Sequence, residues 1–289
     1  MKGLITEIQR FSLVDGPGIR ATVFLKGCNM SCTWCHNPET MSLKQQLMFY
    51  PSKCNDCGKC LGKGTSDVSI VDAKGIRRWE TDCFSEALVP AAKEMTVAEV
   101  MAEVMEDVDY YKDSGGGVTL SGGEVTMQHN FALELLKTLK EAGIHTAIQT
   151  NLKCQRSVLA KLLPYLDLVM FDIKLMDSEL HQTWTGSGTN HILENAQWLA
   201  KQGVPIIVHT PVIPGFNDNE KAIKEIAEFI HEFPSLVNYN LIPYNPLGAD
   251  KYTALGMDYA LRDTKMIKKE RMQRMKASLA AYDFEVKIS

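Results

Sequence analysis

Residues 24–38 read FLKGCNMSCTWCHNP, which sets Cys28, Cys32 and Cys35 with three residues and then two between them. Structural zinc sites and closed iron–sulfur clusters take four ligands, so three thiolates imply something else. A four-iron cube on three thiolates leaves one iron open, and an open iron can chelate a small molecule through an amine and a carboxylate. The fourth ligand is then a cofactor. Recruitment of His36 or Cys154 is the alternative, although His36 follows Cys35 directly and would have to fold back. A second run, KCNDCGKC, places Cys54, Cys57 and Cys60 at two-residue intervals, with Cys83 in DCFSEAL as the remaining thiol nearby. That spacing opens a bacterial ferredoxin pattern, and the fourth thiolate would close the cube. A zinc knuckle on the same residues is the alternative; a tight run of three suits a cube better than two separated zinc pairs.

Seven of the eight cysteines fall between Cys28 and Cys83. No apolar run approaches the length of a membrane span, and MKGLITEIQRF lacks the apolar core of a signal peptide. The chain is therefore expected in the cytoplasm, where thiols stay reduced and clustered cysteines point to metal rather than disulfides. Cys154, alone in TNLKCQR, reads as a spare thiol. A net charge of −4 gives no electrostatic reason to expect nucleic acid or an anionic membrane as partner.

These residues need elements to position them. ATVFLKG, ahead of Cys28, reads as a buried strand that delivers the cysteine loop at its C-terminal end. GVTLSGG, HTAIQTN, LDLVMFDIKL, VPIIVHTPVIPG and VNYNLIPYNP read as further strands. Between them, TVAEVMAEVMEDVDYY predicts a helix opened by a capping box from Thr96 to Glu99. FALELLKTLKEAG and HILENAQWLAKQG predict helices that end on glycine, and NEKAIKEIAEFIHEF one capped by Asn219. Alternating strands and helices with short connections imply a parallel sheet with helices outside. Six such repeats are too few for an eight-fold barrel, which leaves a partial barrel or a doubly wound sheet. Either places the site at the C-terminal strand ends, where CNMSC, SGGE, QTN, DIK and PYNP fall. Residues 48–90 break the rhythm and read as a small insert stapled by metal.

The cysteine triad, with Trp34 before its last member, resembles the signature of the radical S-adenosylmethionine (SAM) superfamily. FSLVDGPGIR, FLKGC, WCHNPE, GGGVTLSGGE, MFDIKLMD, IPGFND and PYNPLGADKY, in this order, resemble the activating enzymes of glycyl radical enzymes. The resemblance runs from about residue 5 to about residue 255. It implies a partial (β/α)6 TIM-like barrel over 1–289, interrupted at 48–90 by a ferredoxin-like insert. It implies two [4Fe-4S] clusters, one on Cys28, Cys32 and Cys35 that binds SAM, and an auxiliary one on Cys54, Cys57, Cys60 and Cys83. An electron from the first would cleave SAM to a 5′-deoxyadenosyl radical, which installs a glycyl radical on a partner enzyme. By resemblance, Trp34, His36, Gly122, Gly123, Glu124, Asp172, Ile173, Lys174 and His209 bind the cofactor. Gly122 and Gly123 would let the backbone approach the methionyl amine, and Glu124 would place a negative charge near the cationic cofactor. Asp15, just ahead of the first strand, would face the partner's glycine loop, although Asp-Gly-Pro-Gly also turns without help.

A flavodoxin or ferredoxin would donate the electron, and the chain is expected as a monomer. Three positions depart from the family pattern. Gln149 stands where an acid is common, His209 where an arginine is common, and Asn245 where a histidine is common. At His209 a bidentate grip on the SAM carboxylate would become a single, pH-dependent contact. The rival readings are a radical SAM enzyme of a small metabolite and a non-catalytic electron carrier or zinc module.

Overall fold

In the computed structural model the described residues are 1–58, 60 and 83–289. The chain opens with β1 (Lys2–Ser12) and β2 (Arg20–Leu25). Next come β3 (Leu47–Phe49), β4 (Leu88–Pro90) and β5 (Lys93–Thr96). β6 (Gly117–Gly122), β7 (His145–Thr150), β8 (Leu168–Asp172), β9 (Ile206–Val212), β10 (Leu236–Pro243) and β11 (Glu285–Ile288) follow. The helices between them are α1 (Val97–Val104), α2 (Val108–Ser114), α3 (His129–Glu141), α4 (Arg156–Leu162) and α5 (Ser178–Thr185). α6 (Asn190–Ala200), α7 (Glu220–Ile230), α8 (Ala249–Ala254) and α9 (Lys269–Ala277) complete the series.

Among the described residues one nine-stranded sheet runs in the order β11-β10-β9-β8-β7-β6-β2-β1-β5. Each expected strand is present, and β2, β6, β7, β8, β9 and β10 pair in parallel in chain order. The order never reverses, so the sheet has no topological switch point; this is a partial barrel, not a doubly wound sheet. Three strands extend the expected series. β1 alternates buried with more exposed positions, as a half-covered strand does, and pairs antiparallel with β2 and β5. β11 adds in parallel to β10.

The capping box forms, with Glu99 N donating to Thr96 Oγ1 at 3.2 Å and Thr96 N to Glu99 Oε2 at 2.7 Å. The single helix predicted beyond it breaks at a 3-10 turn over Met105–Asp107. Asp107 is turned inward there, 1% exposed, and accepts from Arg10 Nε at 2.6 Å and Nη2 at 2.5 Å. Asn219 caps α7 through a bond from Ala222 N at 3.0 Å.

Strand alternation divides the sheet residues between two faces. Val118, Leu120, Ile148, Phe171, Val208 and Leu241 join the main core, which also holds buried residues of α1, α3, α6 and α7. The opposite face lines the barrel interior. Ala147, Leu168, Met170 and Ile207 form an apolar layer there. One residue pair further along the strands the interior turns polar, with Ser121, Gln149, Asp172, His209 and Asn240. The C-terminal ends of the strands thus carry the chemistry and the N-terminal part carries packing.

The expected insert lies partly outside the described residues. Its ends form an antiparallel ribbon, Met48 opposite Val89 and Phe49 opposite Leu88, closed by Tyr50 N to Ala87 O at 2.7 Å.

Candidate active site

The cysteine loop leaves β2 and is clamped on three sides. Gly27 N donates to Thr40 O at 2.7 Å and Cys28 N to Met41 O at 3.0 Å. Ser31 N and Thr33 N donate to Thr185 O and Trp184 O at 2.9 and 3.0 Å, which docks the loop on the end of α5. Cys35 N returns to Cys32 O at 3.0 Å. Trp34 packs over the loop with Phe216 and Trp184, ring centroids 4.8 and 6.3 Å away. Burial pushes the Cys32 thiol up to about 11 and the Cys35 thiol up to about 12; Cys28 raises Cys32, and Cys32 raises Cys35. Burial likewise raises Cys28. The three thiols therefore sense one another, and a metal would have to displace their protons.

Gly122 and Gly123 do permit a close approach, and the chain itself makes it. A Cβ at Gly123 would stand 2.2 Å from Gly27 O and 2.7 Å from Thr40 O, and one at Gly122 2.3 Å from Leu25 N. Glu124 N donates to Gly27 O at 2.8 Å. The Glu124 carboxylate is fully buried and enclosed by donors: Thr126 N at 3.0 Å, Thr126 Oγ1 and Thr150 Oγ1 at 2.8 Å, and Asn151 N at 2.7 Å. Burial raises its pKa and these bonds pull it back. The residue so ties β6 to the turn after β7. Asn151, which sequence reasoning did not single out, then reaches Cys28 Sγ at 3.8 Å and Asn29 Oδ1 at 3.0 Å.

After β8, Lys174 Nζ meets Asp172 Oδ2 at 2.7 Å, with both side chains on one side as alternation requires. Burial alone would lower the Lys174 pKa; Asp172 outweighs it and holds it above its ordinary value. Leu175, next in the chain, packs in one cluster with Trp34, so the pair stands beside the cysteine loop. The Ile173 side chain points the other way, into the core. Its carbonyl accepts from Thr210 Oγ1 at 2.6 Å. Asn217, also missed, staples this turn to the IPGFND loop: its Nδ2 donates to Lys174 O at 2.7 Å and Pro211 O at 2.8 Å. An asparagine inside a loop motif gives no sign of its partners before the loops are brought together.

His209 pairs with Asp172 in the sheet register. Its Nδ1 faces Gln149 Nε2 and its Nε2 faces Asn240 Nδ2, each at 3.4 Å. Burial lowers its pKa, against an upward pull from Asp172 and Asp15. The ring is thus enclosed between two side-chain amides. His36 is exposed, and its backbone abuts Gly248, 3.1 Å from where a Cβ would stand. Asn245 caps its own turn by accepting from Leu247 N at 3.2 Å.

Asp15 is half-buried on the loop joining β1 to β2, so a strand precedes it. Its Oδ2 accepts from Ser12 Oγ at 2.5 Å and Thr22 Oγ1 at 2.8 Å, and its carbonyl from Thr119 Oγ1 at 2.7 Å. In the insert, Cys54 Sγ contacts Asp56 Oδ1 at 3.6 Å and Cys83 Sγ contacts Ser85 Oγ at 3.5 Å. Cys54 and Cys83 flank the closed end of the β3–β4 ribbon, while Cys57 and Cys60 are exposed.

Among the described residues no three His, Cys, Asp or Glu side chains form a group that could hold one metal ion. A cube makes a different demand, because it takes each thiolate on a different iron. The residues around the triad fit such a group: the Thr33 Oγ1 and Tyr252 OH hydroxyls are buried there without a hydrogen-bond partner among the described residues. The sequence pattern of the radical SAM superfamily matches residues 22–230.

The chain belongs to the radical SAM superfamily.

Its relatives within the superfamily include activating enzymes. An isethionate sulfite-lyase activating enzyme from Desulfovibrio desulfuricans is 40% identical over 284 residues, covering 92% of this chain and 91% of that protein. A choline trimethylamine-lyase activating enzyme from Oleidesulfovibrio alaskensis is 34% identical, covering 99% of this chain and 98% of that protein. A crystal structure of a domain of a pyruvate-formate lyase-activating enzyme from Bacteroides vulgatus superposes with a TM-score of 0.51 at 29% identity, covering 60% of this chain and 99% of that one. This radical SAM chain is thus an activating enzyme of the glycyl-radical-enzyme family, with the [4Fe-4S] cluster and SAM that the superfamily implies. The reading as an enzyme of a small metabolite is not favoured. No helix among the described residues is long and apolar enough to cross a membrane.

Proposed function

We propose that Cys28, Cys32 and Cys35 hold the SAM-binding cluster and that a glycine loop of the partner enzyme enters the barrel beside it. When bound, cluster and SAM supply an electron and a carbon-centred radical that takes a hydrogen atom from a backbone glycine. The chain's own residues bind and orient. Lys174 and Asp172 present a charge pair beside the triad, and Trp34 with Phe216 and Trp184 closes the loop against water. Gly122, Gly123 and Glu124 fix the loop, and His209, enclosed between Gln149 and Asn240, is the side chain for the SAM carboxylate. The observation that carries this reading is geometric: Leu175, next to Lys174, packs in one cluster with Trp34 and against Cys32, which supports one site for the strand-end pair and the thiols.

Asp15, bonded to Ser12 and Thr22 on the loop that enters β2, is the carboxylate for the partner loop. Leu13 and Val14 beside it are 72% and 68% exposed, which suits a protein rather than a metabolite. Cys54, Cys57, Cys60 and Cys83 hold an auxiliary cluster in a ferredoxin-like insert over 48–90. A flavodoxin or ferredoxin donates the electron, and the chain works as a cytoplasmic monomer without nucleic acid or membrane.

Anaerobic reconstitution tests this. Two cubes predict about eight iron and about eight sulfide per chain, and an EPR signal of the reduced protein that changes on adding SAM. Stoichiometric zinc, or a signal indifferent to SAM, would remove the reading.

A further inference from the structure

Tyr252 lies on α8. It is 4% exposed, and its hydroxyl has no hydrogen-bond partner among the described residues. A buried hydroxyl left unpaired is costly, so such a group calls for a partner. The hydroxyls nearest in the cluster are engaged: Tyr259 OH and Tyr244 OH share a bond at 2.9 Å, and Tyr244 OH also donates to Leu261 O at 2.9 Å. The ring is held in place by stacking on Tyr259, centroids 4.5 Å apart and 29° between planes.

The helix itself is docked on the cysteine loop. Lys251 Nζ donates to Glu39 Oε1 at 2.6 Å and Asn37 Oδ1 at 2.9 Å, just past Cys35. The turn before α8 abuts His36 through Gly248. Tyr252 shares an apolar cluster with Trp34, and Cys32 packs against that cluster. Tyr252 therefore sits, with an unspent hydroxyl, in the cluster against which the cysteine loop packs.

We propose that Tyr252 donates its hydroxyl hydrogen to a sulfur of the cube held by Cys28, Cys32 and Cys35, and thereby sets the reduction potential of the SAM-binding cluster. The inference rests on the assignment of that cluster to Cys28, Cys32 and Cys35. A hydrogen bond to a cluster sulfur stabilises the more negative, reduced form, so it raises the potential. Tyr252 acts through that sulfur and takes no part in the bond changes.

The test is a redox titration of the reconstituted full chain, read on the EPR signal that SAM alters. Tyr252→Phe keeps the ring and its stacking but removes the donor. Its iron content should match the parent, and the one-electron reduction equilibrium should fall by about tenfold, a shift of about 59 mV to more negative potential. Tyr259→Phe removes a hydroxyl bonded elsewhere and should leave the potential in place. Replacement of Tyr252 by 3-fluorotyrosine, a stronger donor of the same shape, should move the potential the opposite way. Equal shifts in the two Phe variants, or no shift in Tyr252→Phe and fluorotyrosine proteins, would overturn the proposal and leave Tyr252 bonded to Glu39 or to water. A parent protein with no SAM-responsive signal would instead overturn the cluster assignment, and this inference with it.

Discussion

His209 shows how burial changes what a residue can do. A histidine free in an unfolded chain titrates near 6.5, and enclosure between Gln149 and Asn240 holds it lower in the fold. The unfolded chain therefore takes up the proton first, and stability that rests on the neutral ring is lost as pH falls below about 6.5. His145 and His181 are lowered by burial too and act in the same direction. His209→Gln should consequently flatten part of the drop in melting midpoint between about pH 7 and about pH 5. A variant whose midpoint falls as steeply as the parent's would show that His209 is not held neutral. The sequence alone could not supply this sign, because the ring's neighbours come from three different strands. Tyr252 and Asn217 were illegible for the same reason: each matters through a partner far away in the chain.

At the scale of elements, the glycines after β6 and the loop after β2 form one unit. The Cβ of Gly123→Ala would enter the space of Gly27 O, which is backbone and cannot swing aside. The variant should displace the cysteine loop and lower iron incorporation at the first site, measured as iron per chain, while the β3–β4 ribbon is untouched. Full iron content would mean that the loop has room to move. The two cysteine runs can be separated similarly. Cys32→Ala should abolish SAM cleavage, because two protein thiolates cannot hold the open cube. Cys57→Ala should leave SAM binding measurable and slow electron delivery. The reverse pattern would exchange the roles of the runs. Much of this level was legible. The parallel strands announced themselves as apolar, β-branched runs ending in glycine or polar turns, and the triad's spacing named its chemistry. β1 was missed because its alternation belongs to a half-covered strand outside the parallel repeat, and β11 because EVKI is too short to stand out. The four donors around Glu124 were not legible, because they come from segments that only the fold brings together.

For the whole molecule the question is how chemistry inside a partial barrel reaches a backbone atom of another protein. The barrel interior is polar at the strand ends, and the Asp15 loop stands between β1 and β2 with exposed Leu13 and Val14 beside it. A charge-assisted contact from Asp15 to the partner is worth roughly 1.5–3 kcal/mol, or about one to two decades in affinity. Asp15→Asn should therefore weaken activation of the partner by that factor and leave uncoupled SAM cleavage by dithionite nearly intact. Equal loss of both would assign Asp15, with its bonds from Ser12 and Thr22, to the fold instead. The most direct measurement concerns the partner itself. The reconstituted chain, reduced anaerobically with SAM and mixed with a glycyl radical enzyme captured from the same cells, should produce a glycyl-radical EPR signal on that enzyme together with 5′-deoxyadenosine. Formation of 5′-deoxyadenosine that tracks consumption of a small metabolite, with no radical on any protein partner, would contradict the account.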